Sequence, residues 1–107
     1  MEALAYKPKN ALSGYKQNEI MSFSPVQLIL KLYDYVIVQS KRRDAAKVNA
    51  GLAQLIASLN FDYNEIALGF FRLYRYCQTS SRKGDFEEVV AVITELRAAW
   101  AQAFKLS

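Results

Sequence analysis

The sequence predicts an all-α protein, an antiparallel up-down four-helix bundle preceded by an N-terminal arm or short helical cap. Three observations carry that expectation: helix-start signals occur four times, connections of only three or four residues separate the segments they open, and apolar residues recur at alternating steps of three and four. Connections that short force consecutive helices to run antiparallel as neighbours. Residues 1–22 read as the arm and residues 23–107 as the bundle, a single domain.

The arm carries Pro8, Gly14 and scattered Tyr6, Leu12, Tyr15 and Ile20, which cannot build a core alone. The first helix, 25–40, opens on Ser24-Pro25-Val26-Gln27: Ser24 suits the N-cap, Pro25 the first helical position, and Gln27 completes a capping box, with Phe23 placed to staple onto Leu28. Between Val26 and Val38 ten of thirteen residues are apolar or aromatic, and only Gln27, Lys31 and Asp34 are polar. On a helical projection those three fall within about 60° of one another, leaving one narrow wet stripe. Such a helix either lies at the centre of its domain or keeps apolar surface for something other than its own core. Lys41-Arg42-Arg43 ends it with positive charge, where the helix dipole favours it.

The second helix, 45–59, takes Asp44 as N-cap and a seam of Val48, Leu52, Leu55 and Leu59. The third, 63–81, starts from Asp62 with Glu65, carries Ile66, Phe70, Leu73 and Cys77 as its seam, and stops at Arg82-Lys83 and Gly84, the last suited to a left-handed residue. The fourth, 86–104, starts from Asp85 with Glu88 and aligns Phe86, Val89, Ile93, Leu96 and Trp100. No strand alternation, internal repeat or low-complexity segment competes with this reading.

Composition narrows the chemistry. A chain of 107 residues can hold one core without disulfides or metals. Cys77 stands alone and no leader-like segment opens the chain, so a cytoplasmic address is expected, and no apolar run is long enough for membrane insertion. With no histidine, histidine-based triads and Glu-x-x-His metal bundles are absent, and four isolated glycines make no phosphate loop. Asp44, Asp62, Asp85 and Glu88 are accounted for by capping, and Glu65 and Glu87 by first-turn placement. No catalytic, metal or cofactor-binding residue is therefore assigned, and the chain does not read as an enzyme. Cys77 continues an apolar seam and reads as packed. The net charge of +4 and the cluster Lys41, Arg42, Arg43 and Lys47 have no interleaved aromatics, so they read as a solvated helix end rather than a nucleic-acid contact.

The apolar surplus points to a partner. On the first helix Ile29, Leu32, Tyr33 and Val36 face away from the polar stripe and read as core; Leu30 and Ile37 on one flank, and Leu28 and Tyr35 on the other, lie at or beyond the edge of a buried arc, and Val38 falls within the stripe. On the third helix Leu68 and Tyr76 share a sector with Arg72, Arg75 and Thr79. With Val26, these positions make the expected binding surface: Val26, Leu28, Leu30, Tyr35, Ile37, Val38, Leu68 and Tyr76. Fourteen aromatic residues, seven of them tyrosine, suit such a surface.

Several segments together resemble the flagellar export chaperones that hold flagellin in the cytoplasm (the FliS family). They are Tyr15 and Ile20, Ser24-Pro25 with Leu28-Ile29 and Leu32-Tyr33-Asp34, Ser58-Leu59-Asn60, Glu65-Ile66-Ala67, Leu73-Tyr74-Arg75-Tyr76, and Leu96-Arg97 with Trp100. The resemblance covers nearly the whole chain from Tyr15. It implies an antiparallel helical bundle without catalytic activity or cofactor. The implied client is the C-terminal segment of flagellin, which becomes helical in apolar grooves of the bundle. Holding it prevents premature polymerisation and presents flagellin to the flagellar type III export gate. Tyr15 and Ile20 then read as arm residues that cover a groove until the client displaces them. The chain departs from the family at Tyr35, where a small residue is usual, and in a shortened stretch from Tyr33 to Ser58. The alternatives are a basic helical module for nucleic acid and a self-associating helical adaptor in which the first helix meets its own copy as a homodimer.

Overall fold

A computed structural model describes residues 25–104 and contains the four expected helices: α1 (Pro25–Lys41), α2 (Ala45–Ala57), α3 (Asn64–Arg82) and α4 (Phe86–Ala103), with a 3₁₀ turn over Phe61–Tyr63. The helices close into a ring in which α1 packs on α2 and α4, and α3 packs on the same two. Among the described residues no helix is long and apolar enough to cross a membrane. The Ser24 cap, the Phe23 staple, and Tyr15 and Ile20 of the arm lie outside the described residues.

Two of the turns share one design. After α1, Asp44 N–H donates to Gln39 O and Arg43 N–H to Ser40 O; after α3, Asp85 N–H donates to Ser80 O and Gly84 N–H to Ser81 O. This is the paired closure that satisfies the last carbonyls of a helix, with Gly84 at φ 82° and Arg43 at φ 58° in the left-handed position. In each turn the next residue is an aspartate that caps the following helix, Asp44 accepting from Lys47 N–H at 3.1 Å and Asp85 from Glu88 N–H at 3.3 Å. The Arg43 guanidinium reaches across to Gly84 O and to Glu87, and lies over the Phe86 ring. This accounts for one member of the basic cluster as a clamp between the turns.

The start of α3 differs from expectation. Asp62 is no cap: Asn60 Oδ1 accepts from Asp62 N–H, the 3₁₀ turn intervenes, and α3 begins without a side-chain cap. An Asx-type bond two residues on competes with helix capping, and here it sets the turn.

The chain also contains an internal repeat, contrary to the sequence expectation. Residues 31–44 (KLYDYVIVQSKRRD) and 72–85 (RLYRYCQTSSRKGD) share five identities and three Lys/Arg exchanges. Tyr33 and Tyr74, and Arg43 and Gly84, are equivalent in this register, and each pair meets in space at a sequence separation of 41, the tyrosine hydroxyls 2.7 Å apart in the core. Equivalent residues in contact mark an approximate two-fold axis relating the hairpin α1–α2 to α3–α4. The identities are too sparse to show without the register that the Tyr33–Tyr74 contact supplies.

The core follows the repeat. Val36 and Cys77, Val48 and Val89, and Leu52 and Ile93 are equivalent pairs, all fully buried. Tyr33, Phe70, Tyr74, Trp100 and Phe104 form an aromatic cluster with centroid separations of 5.6–6.4 Å. Burial pushes the Cys77 thiol up to about 12, in keeping with a packed, unreactive side chain.

Candidate functional site

The structure redistributes the apolar surplus. Leu28 and Leu30, expected to be surplus, are core residues, 1% and 6% exposed. The reason is the ring: Asp34, on the flank of Leu30 and Ile37, pairs with Arg97 of α4, while Tyr35, on the flank of Leu28, packs by Gly51 of α2, so both flanks of α1 are covered. Val26 and Ile37 are half-buried against the core, and of the expected surplus on α1 Tyr35 and Val38 alone are exposed. Leu68 on α3 is half-buried, and Tyr76 is exposed but donates its hydroxyl to the Glu88 carboxylate of α4, a bond that raises the phenol above its ordinary pKa. Glu88 thus supplies only its backbone N–H to the Asp85 cap.

Sequence reasoning assigned Ile66 and Leu73 to the third seam, yet both are exposed; Ala67 and Tyr74 are buried in that seam instead. The larger exposed apolar surface therefore lies on α3 and its leading turn: Phe61, Tyr63, Ile66, Leu73 and Tyr76. The repeat register alone would have placed Leu73 in the core, because its equivalent Leu32 is buried; the two are 38% and 2% exposed.

Gly51 explains the difference. A Cβ built on it would stand 2.8 Å from Val36 Cγ2 and 3.0 Å from Tyr35 Cδ2, closer than side chains pack. Glycine here lets α1 and α2 close over Leu32. The equivalent residue on α4 is Val92, which carries a side chain where α2 has none, and on that side Leu73 stays open. Beside it, Phe70, Leu96, Ala99, Trp100, Ala103 and Phe104 line an apolar hollow of about 180 Å³.

A second groove lies on the other side of α3, against α2, with Ala53, Ile56 and Ala57 facing Phe71, Arg75 and Gln78. Phe61 extends it, its ring edge-on to Phe71 at 6.3 Å. Buried Gln78 donates Nε2–H to Asn49 O of α2 at 3.3 Å and accepts from Arg75 Nη1 at 3.0 Å, which holds the guanidinium at the groove.

Among the described residues no three of His, Cys, Asp and Glu gather closely enough to hold a metal ion. The arrangement offers two apolar grooves, one on either side of α3. Searches of family models, of curated proteins and of solved structures found no match to this chain.

Proposed function

We propose that the protein is a flagellar export chaperone that binds the otherwise disordered C-terminal segment of flagellin along α3, prevents its premature polymerisation and delivers it to the type III export gate. The observation that carries this reading is the exposed apolar surface of Ile66 and Leu73 on the α4-facing side of α3, beside the α3–α4 hollow, on the helix that bears the Leu73-Tyr74-Arg75-Tyr76 segment of the family resemblance. A disordered amphipathic segment needs apolar burial to offset its ordering entropy, and grooves on both sides of one helix let it wrap rather than touch. No catalytic step or cofactor is invoked.

The test is to titrate the chain with full-length flagellin and with flagellin lacking its C-terminal segment. The proposal expects binding to the first alone, and expects Leu73→Glu to weaken it while helix content stays unchanged. Undiminished binding of the truncated flagellin overturns the reading.

A further inference from the structure

Charge is divided unevenly between the two sides of the bundle. Helices α2 and α3 carry Lys47, Arg72, Arg75 and Arg82 against Glu65 alone, whereas α1 and α4 carry Asp34, Glu87, Glu88 and Glu95 against Lys31, Lys41 and Arg97. Glu65 lies ten residues before Arg75, about 15 Å along the helix. Equivalent positions in the repeat sharpen this. Across the α1–α4 interface Arg97 grips Asp34 with two hydrogen bonds, Nε to Oδ1 and Nη2 to Oδ2. In the register of the repeat, Asp34 corresponds to Arg75 and Arg97 to Ile56, so the α2–α3 groove has a cation where the other interface has its carboxylate, and an aliphatic side chain where the other has its cation. Among the described residues Arg75 forms no ion pair; its hydrogen-bond partner is the neutral amide of Gln78, itself anchored to Asn49 O.

We propose that the α2–α3 groove receives an apolar helical segment of the client that bears a carboxylate, and that this carboxylate pairs with Arg75 as Asp34 pairs with Arg97 across the opposite interface. The inference rests on the flagellin reading and adds the polarity of the contact. Ala53 and Ala57, one turn apart on α2, give the segment a low floor, Ile56 and Phe71 give it apolar walls, and the guanidinium supplies the directional contact. The alanine floor and the one cation among the lining residues favour a peptide over nucleic acid, whose binding would need a run of phosphate contacts.

The experiment is calorimetric titration of the full chain with the flagellin C-terminal segment, using wild type, Arg75→Ala and Arg75→Glu, with helix content and urea midpoint measured for each. Each acidic residue of the segment is then changed to lysine in turn. Wild-type binding is expected to weaken about tenfold or more in Arg75→Ala and further in Arg75→Glu, at unchanged fold stability, and one acid-to-lysine segment should recover affinity with Arg75→Glu. If wild type binds and both Arg75 variants bind equally well, the inference falls and the flagellin reading stands. Loss in Arg75→Glu that no charge reversal restores also overturns it, because Arg75 would then act through Gln78 and the groove's shape. Failure of wild type to bind the segment removes the reading and the inference together. Arg75→Glu altering self-association instead, or loss of oligonucleotide binding with a steep salt dependence in its place, assigns the groove to another occupant and overturns the proposal.

Discussion

Replacing Gly51 with alanine tests the packing that separates the two hairpins. In an exposed helix interior, alanine for glycine gains about 1 kcal/mol of helix stability. At Gly51 the added methyl would stand 2.8 Å from Val36 Cγ2 and 3.0 Å from Tyr35 Cδ2, and Val36 is fully buried and cannot swing away. Overpacking of this kind costs about 1–3 kcal/mol. The two effects oppose each other, and the steric cost is the larger, leaving a net loss of about 1 kcal/mol. Gly69 is the internal control, since it lies in α3 with nothing within 4 Å of an added Cβ, so Gly69→Ala should stabilise by about 0.5–1 kcal/mol. Urea unfolding of both variants reads the difference directly, with the slope of the transition checked for constancy. Equal stabilisation by the two substitutions would refute the close approach of α1 and α2, and with it the explanation of why Leu73 stays open while Leu32 is buried.

Other expectations follow from the same packing. Ser40 and Ser81 occupy equivalent places one residue before their helices end, and both hydroxyls are buried without a hydrogen-bond partner; alanine at either should raise stability by about 1 kcal/mol, and a comparable loss in urea unfolding would show that the hydroxyl is bonded. A double-mutant cycle with Tyr33→Phe and Tyr74→Phe should give a coupling of about 1 kcal/mol, and additivity would deny the 2.7 Å hydroxyl contact. Cys77, with its thiol raised from 9.0 to about 12, should react with a thiol reagent at pH 8 only as the chain unfolds. The same shift has a sign in stability: between pH 9 and 12 the unfolded chain loses the thiol proton while the folded chain keeps it, so this group's contribution falls as pH rises. Rapid labelling of the folded protein would contradict its burial.

The sequence made the bundle legible because the signals were local. Aspartate caps at Asp44 and Asp85, basic helix ends and short turns each act within a few residues, and the observed boundaries lie within two residues of the expected ones. Asp62 failed for an equally local reason, since Asn60 had the better geometry for the intervening turn. The surface was harder to read. A helical projection gives the direction of a side chain but not how closely a neighbour meets it: α1 is covered on both flanks, so Leu28 and Leu30 are core, whereas α3, with the same two neighbours, leaves Ile66 and Leu73 exposed. What decides that difference is Gly51 against Val92, a comparison that exists only once the 41-residue register is known.

The central claim is that the apolar surface on α3 is where a client segment binds, and amide chemical-shift mapping on the isotopically labelled chain during titration with the flagellin C-terminal segment tests it most directly. The account predicts perturbations concentrated from Phe61 to Gln78 and on the facing residues of α2 and α4, with Val38 on the outer side of α1 unmoved. Perturbations centred on α1, or none at saturating segment, would contradict it.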